Sequence, residues 1–105
     1  MVNGRFKPEL LSGFEWNEGN LTHVKKHSVN YRECEAVFFN KPVIVTPDLT
    51  HSQTESRFRV YGLTNKNRGL CLVVTIRNKK IRVISARDTS KREKKEFLSI
   101  GGDNK

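Results

Sequence analysis

Leu70-Cys71-Leu72-Val73-Val74-Thr75-Ile76 decides the fold. The run is apolar at odd and even positions alike, the pattern of a strand covered on both faces, and therefore central in its sheet. On its N-terminal side, Ser56–Leu63 alternates. Arg57, Arg59 and Tyr61 share one face, and Phe58 and Val60 take the other. Residues 65–69 (Asn-Lys-Asn-Arg-Gly) have the composition of a hairpin loop. On the C-terminal side, Asn78-Lys79 makes a turn into a strand over 81–87, Ile-Arg-Val-Ile-Ser-Ala-Arg. Strict alternation there puts Ile81, Val83, Ser85 and Arg87 on one face and Arg82, Ile84 and Ala86 on the other. Val43–Thr46, rich in β-branched residues, supplies a further strand, and Gly13–Trp16 a short edge strand.

Helices flank this series. Residues 17–27 read as a helix with Leu21 and Val24 apolar. Asn30 and Glu33 have capping-box spacing and open a second helix, with Tyr31, Cys34, Val37 and Phe38 facing the core and Pro42 closing it. Ser90 and Glu93 repeat the box before a basic helix through about Ser99, which Gly101-Gly102 should stop. Strands joined by short turns are antiparallel neighbours. The expected architecture is α+β in two layers, an antiparallel sheet with one face packed against the helices and the other open. The 105 residues form one expected domain, with an N-terminal extension over 1–12 and a flexible tail over 101–105.

The charge is asymmetric. Formal net charge is +9, and six bases balance six acids over residues 1–52, so the whole excess lies in 53–105. Such a distribution points to a polyanion, nucleic acid first, against the simpler reading of a solvated face. No apolar run reaches the roughly 20 residues of a membrane-spanning helix. Met1–Gly13 has no continuous apolar stretch, so we expect no secretory signal, a cytoplasmic location and no membrane partner. Two cysteines make no disulfide framework, and Cys34 and Cys71 read as inert buried thiols.

His23 and His27 have helical i, i+4 spacing, but the zincin pattern needs Glu where Val24 stands. They read as surface histidines, and neither a metal nor another cofactor is expected. No Gly-rich phosphate loop or nucleophile elbow is present. Arg57, Arg77, Arg82 and Arg87 sit within or at the ends of strands. They are either snorkelling surface groups paired with Glu55 or Asp88, or a phosphate-binding surface of bidentate donors. Lys26, His27 and His51 add acid–base groups. That set suits RNA cleavage by its own 2′-hydroxyl. A base takes the hydroxyl proton, arginines stabilise the phosphorane, and an acid protonates the leaving 5′-oxygen.

In order along the chain stand Phe14-Glu15-Trp16, Asn20, Lys26-His27, Glu33 with Ala36-Val37-Phe38, Pro42, Asp48, His51-Ser52, Glu55 with Arg57, and Gly62. Leu72–Arg77, Ile81–Arg87 and Lys91-Arg92-Glu93 follow. This ordered set resembles the BrnT toxins of bacterial type II toxin–antitoxin systems. The resemblance implies a RelE-like fold and a ribonuclease that arrests translation, neutralised by a BrnA-like ribbon–helix–helix antitoxin that contacts operator DNA. RNA is the implied substrate, and the ribosome is carried as a candidate further partner. The polar positions that match the family are Lys26, His27, Asp48, His51, Glu55, Arg57, Arg77, Arg82 and Arg87. Of these, Lys26, His27, His51, Arg57, Arg77 and Arg87 are the catalytic candidates, and Arg82, with the further basic residues Arg59, Lys79 and Lys80, is expected on the RNA. Ser28 stands where the family usually has glycine, and Phe97 where it often has tyrosine. The alternative class is a non-catalytic nucleic-acid- or ribosome-binding module, a decayed toxin, and a third is an interaction protein for an acidic partner.

Overall fold

The computed structural model describes residues 12–48 and 55–102. In chain order the elements are β1 (Phe14–Glu15), α1 (Glu18–Lys25), α2 (Tyr31–Val37), β2 (Ile44–Pro47), β3 (Arg57–Leu63), β4 (Gly69–Arg77), β5 (Lys80–Asp88) and α3 (Lys91–Gly102). The sheet runs β1-β5-β4-β3-β2, so β4 lies at its centre, as its apolar run requires. The hairpin strands pair antiparallel, while β1 joins the outer edge of β5 in parallel, making the sheet mixed. The α+β class and the element order follow the sequence reading.

Helix starts are set by reciprocal caps. Asn30 accepts from the Glu33 backbone N–H at 3.0 Å while the Asn30 N–H donates to the Glu33 carboxylate at 3.1 Å. Ser90 and Glu93 do the same before α3. A third box, Asn17 with Asn20, opens α1, and the Asn20 amide also donates to the Glu15 and Val83 carbonyls. One buried asparagine thus ties α1 to β1 and β5. The N–H groups and carbonyls it satisfies would otherwise be costly to bury. The β4–β5 turn has Asn78 and Lys79 both at positive φ (54° and 63°), the type I′ geometry that suits a two-residue hairpin.

The core lies between the sheet and the first two helices. Val24, Val29, Cys34 and Val37 pack on Val45, Phe58, Val60, Leu70, Leu72, Val74, Ile81, Val83 and Ala86. Helix α2 comes so close to β3 that a Cβ on Gly62 would stand 2.6 Å from Val37 Cγ1, so a side chain there would have to displace Val37. Three expectations need correction. The register of β4 with β5 slips between Val73 and Val74, which pair with Ser85 and Val83, so Ile84 is an extra residue in a β-bulge. Alternation resets there, and Ala86, not Ser85, joins Ile81 and Val83 in the core. The helices do not all share one face either, because α3 crosses to the opposite one, where Phe97 stacks on Tyr61 at 6.3 Å. Finally, α3 continues through Gly101 and Gly102 rather than ending before them.

Candidate nucleic-acid site on the sheet face

The sheet face turned away from the core is organised as cross-strand rows. Arg57 on β3 lies opposite Thr75 on β4, which lies opposite Arg82 on β5. The next row is Arg59, Val73, Ser85, and the third is Tyr61, Cys71, Arg87. The bulge at Ile84 creates this pattern, since without it Arg82 and Arg87, five residues apart, would point to opposite faces. Two strands that flank β4 stand about 10 Å apart, twice the inter-strand spacing. Long guanidinium side chains therefore rise on both sides of a floor made of Thr75, Val73 and Cys71.

Two concave regions result. One is lined by Arg57, Arg77 and Arg82 with Glu55, and by Gly19, Asn20 and His23 of α1. The other is lined by Arg59, Arg87, Asp48, Cys71, Ser85 and His27. His23 and His27, four apart in sequence, thus belong to different concavities. Lys26 is the exposed C-cap of α1, and His27 is exposed in the turn that follows. Lys79 and Lys80 are exposed at the β4–β5 hairpin, where the Lys79 carbonyl accepts from the Ser12 N–H at 2.7 Å. His51 lies outside the described residues.

Every one of these strand arginines is held by a carboxylate. Glu55 lies 3.6 Å from Arg57 and 3.2 Å from Arg77. Asp48, itself buried, lies 3.3 Å from Arg59, and Glu15 lies 3.5 Å from Arg82. Arg87 grips both oxygens of Glu93, at 2.8 and 2.9 Å. The pairing of Arg57 and Arg77 with Glu55 follows the sequence reading, but Asp88 pairs with Arg68 instead. These contacts fix the forks while leaving several partly in water, as with Arg77 and Arg87, whose side chains are about half exposed.

The electrostatics follow. Hydrogen bonding from Arg87, then from the Ser90 backbone, holds the Glu93 carboxyl down to about 2. The Tyr61 hydroxyl and Asp48 keep Arg59 charged, and burial pushes Tyr61 up. Burial pushes the Cys34 thiol up to about 12, and raises Cys71 as well, so both stay protonated and unreactive near neutrality. The face therefore offers fixed cationic forks, one protonated thiol on its floor and two histidines at its margin.

Sequence reasoning missed Arg68. Its guanidinium donates to Asp88 at 2.6 and 3.1 Å, to Glu33 at 3.1 and 3.2 Å, and to the carbonyls of Ser28 and His27 at 3.0 and 3.2 Å. Its partners lie 20 to 41 residues away, and no local pattern in 65–69 announces them.

Among the described residues, no helix is long and apolar enough to cross a membrane. Comparison with curated proteins gives no match. A family model does match. It describes the ribonuclease toxin BrnT of type II toxin–antitoxin systems. The match covers residues 16–93, well over half of the 105-residue chain. That span runs from the residue after β1 to Glu93 in the first turn of α3, so it contains both helices of the core face and all four hairpin strands with their arginine rows. The chain belongs to the BrnT family of toxin–antitoxin ribonuclease toxins.

Proposed function

We propose that the arginine face cleaves RNA without a metal, by attack of the RNA's own 2′-hydroxyl. The observation that carries this reading is the convergence of Arg57, Arg59, Arg82 and Arg87 on one face around a floor of small side chains. A pentavalent phosphorane carries more charge than its ground state, and preoriented guanidinium donors stabilise that difference. Arg57, Arg77 and Arg87 take this role. Arg59, Arg82, Lys79 and Lys80 hold flanking phosphates. His27, with Lys26 and His51, supplies the base and the acid. The resulting loss of message arrests translation, with or without the ribosome as a partner, in the cytoplasm. A BrnA-like ribbon–helix–helix antitoxin covers this face with acidic and apolar residues and carries the complex to its operator DNA.

At Arg87 a phosphate meets a competitor. Both terminal nitrogens of Arg87 are engaged by Glu93. A phosphate must share or displace that carboxylate.

The test is cleavage of a defined RNA by the purified protein in EDTA, with analysis of the product ends. We expect cleavage that EDTA leaves unchanged, giving 2′,3′-cyclic phosphate and 5′-hydroxyl ends. Cleavage lost in EDTA and restored by zinc, or ends carrying 5′-phosphate, would overturn the mechanism. RNA binding with no cleavage would favour the binding module.

A further inference from the structure

The six hydrogen bonds from Arg68 engage its Nε, Nη1 and Nη2 with the chain's own acceptors. A guanidinium has five N–H donors, and these contacts use them all. Unlike the half-exposed Arg77, Arg68 has no fork left to offer a phosphate. What it holds is specific. The turn after α1 passes through Ser28 at φ +58°, a left-handed conformation that costs a residue with a side chain roughly 1–2 kcal/mol. Arg68 binds the two carbonyls that flank this kink, those of His27 and Ser28. It fastens them to Glu33 in the first turn of α2 and to Asp88 at the end of β5. Asp88 directly follows Arg87, whose Nη1 donates to the Asp88 carbonyl at 3.0 Å. Arg68 thereby links the backbone of His27 to the strand end that carries Arg87, and those two residues line the same concavity.

We propose that Arg68 is a positioning residue of the ribonuclease site, one that sets His27 against Arg87 by clasping the turn at Ser28. The proposal rests on the reading of His27 as an acid–base group. A misplacement of about 1 Å between reacting groups can slow a reaction a hundredfold. Loosening the clasp should therefore lower the rate at saturating RNA and leave apparent RNA affinity unchanged.

The experiment is a double-mutant cycle in single-turnover cleavage, with thermal melts on each purified variant. It uses Arg68→Gln, His27→Ala and the combination, and adds Arg68→Lys, which keeps the charge but loses the planar fork. Should Arg68→Gln fail to fold, Arg68→Lys takes its place in the cycle. We expect the Arg68 variants to cleave about 10- to 100-fold more slowly than wild type, with half-saturating RNA within about twofold. In the His27→Ala background the same change should have almost no further effect, because the group it positions is gone. An Arg68 effect that multiplies fully with His27→Ala, or folded Arg68 variants that cleave like wild type, would overturn the positioning role while leaving the ribonuclease reading intact. His27→Ala cleaving at the wild-type rate would remove the acid–base assignment, and this proposal with it.

Discussion

On one face of β3, β4 and β5, Phe58, Val60, Leu72, Val74 and Val83 are buried against α1 and α2. On the other face, the same strands raise Arg57, Arg59, Arg82 and Arg87, each with its carboxylate. The apolar face loses its hydration and gains dense packing, so its residues are tied to stability. The arginine face stays partly hydrated, and apart from Arg59 with the buried Asp48, ion pairs of that kind contribute little to folding. The difference teaches where selection for chemistry can act without unfolding the protein. The apolar face admits few changes, while the arginine face holds groups whose removal should be felt in cleavage first.

The largest contrast comes from the centre of the sheet. Leu72 is fully buried in β4. Leu72→Ala should destabilise by about 2–5 kcal/mol, since a cavity remains where the side chain was. Its folded fraction should cleave RNA normally. Urea unfolding read beside the cleavage rate checks both halves of that statement, and a stable but inactive variant would break the division between the faces. Gly62→Ala probes the same layer by overpacking, because the new Cβ would meet Val37 Cγ1 and the Val37 carbonyl. We expect a loss of about 1–3 kcal/mol, measured in the same way.

Smaller effects lie at the margins. Ser28→Gly removes the left-handed penalty but adds chain entropy to the unfolded state, for a net gain of about 0.5–1 kcal/mol in a thermal or urea melt. A loss of stability would mean that the Ser28 side chain contributes more than its backbone costs. The smallest effect is acid sensitivity at the junction of α3 with the arginine face. Glu93 is held down to about 2 by Arg87, so its contribution is complete above its ordinary range near 4.5 and disappears as pH falls towards 2. Screening of this partly exposed pair keeps the amount below about 1 kcal/mol. Glu93→Gln should flatten the stability curve between those pH values, lowering stability at pH 7 by up to that amount and matching wild type near pH 2, because the neutral amide resembles the protonated carboxyl. An unchanged acid slope would show that the pair does not hold α3.

Much of this division was legible in the sequence. The capping boxes at Asn30 and Ser90 act locally, within three residues, and the alternation of β3 is equally local. The bulge at Ile84 was not legible. No glycine marks it, and it shows only in how β5 registers on β4. The same limit hid the parallel pairing of β1, the crossing of α3 and the clasp of Arg68, all of which depend on partners distant in sequence. The alternation places Arg57, Arg77, Arg82 and Arg87 within or at the ends of strands, where the structure has them. That Arg82 and Arg87 share a face could only come from three dimensions.

The central claim is that the arginine face acts in cleavage rather than in folding, and Arg57, Arg77 and Arg87 test it directly. Each should be replaced by Ala and assayed by single-turnover cleavage together with a thermal melt. Rates should fall about 10²–10³-fold below wild type, with stability lost by no more than about 1 kcal/mol, the range of a surface ion pair. Variants that melt like wild type and also cleave like wild type would contradict it, as would variants that lose activity only because they no longer fold.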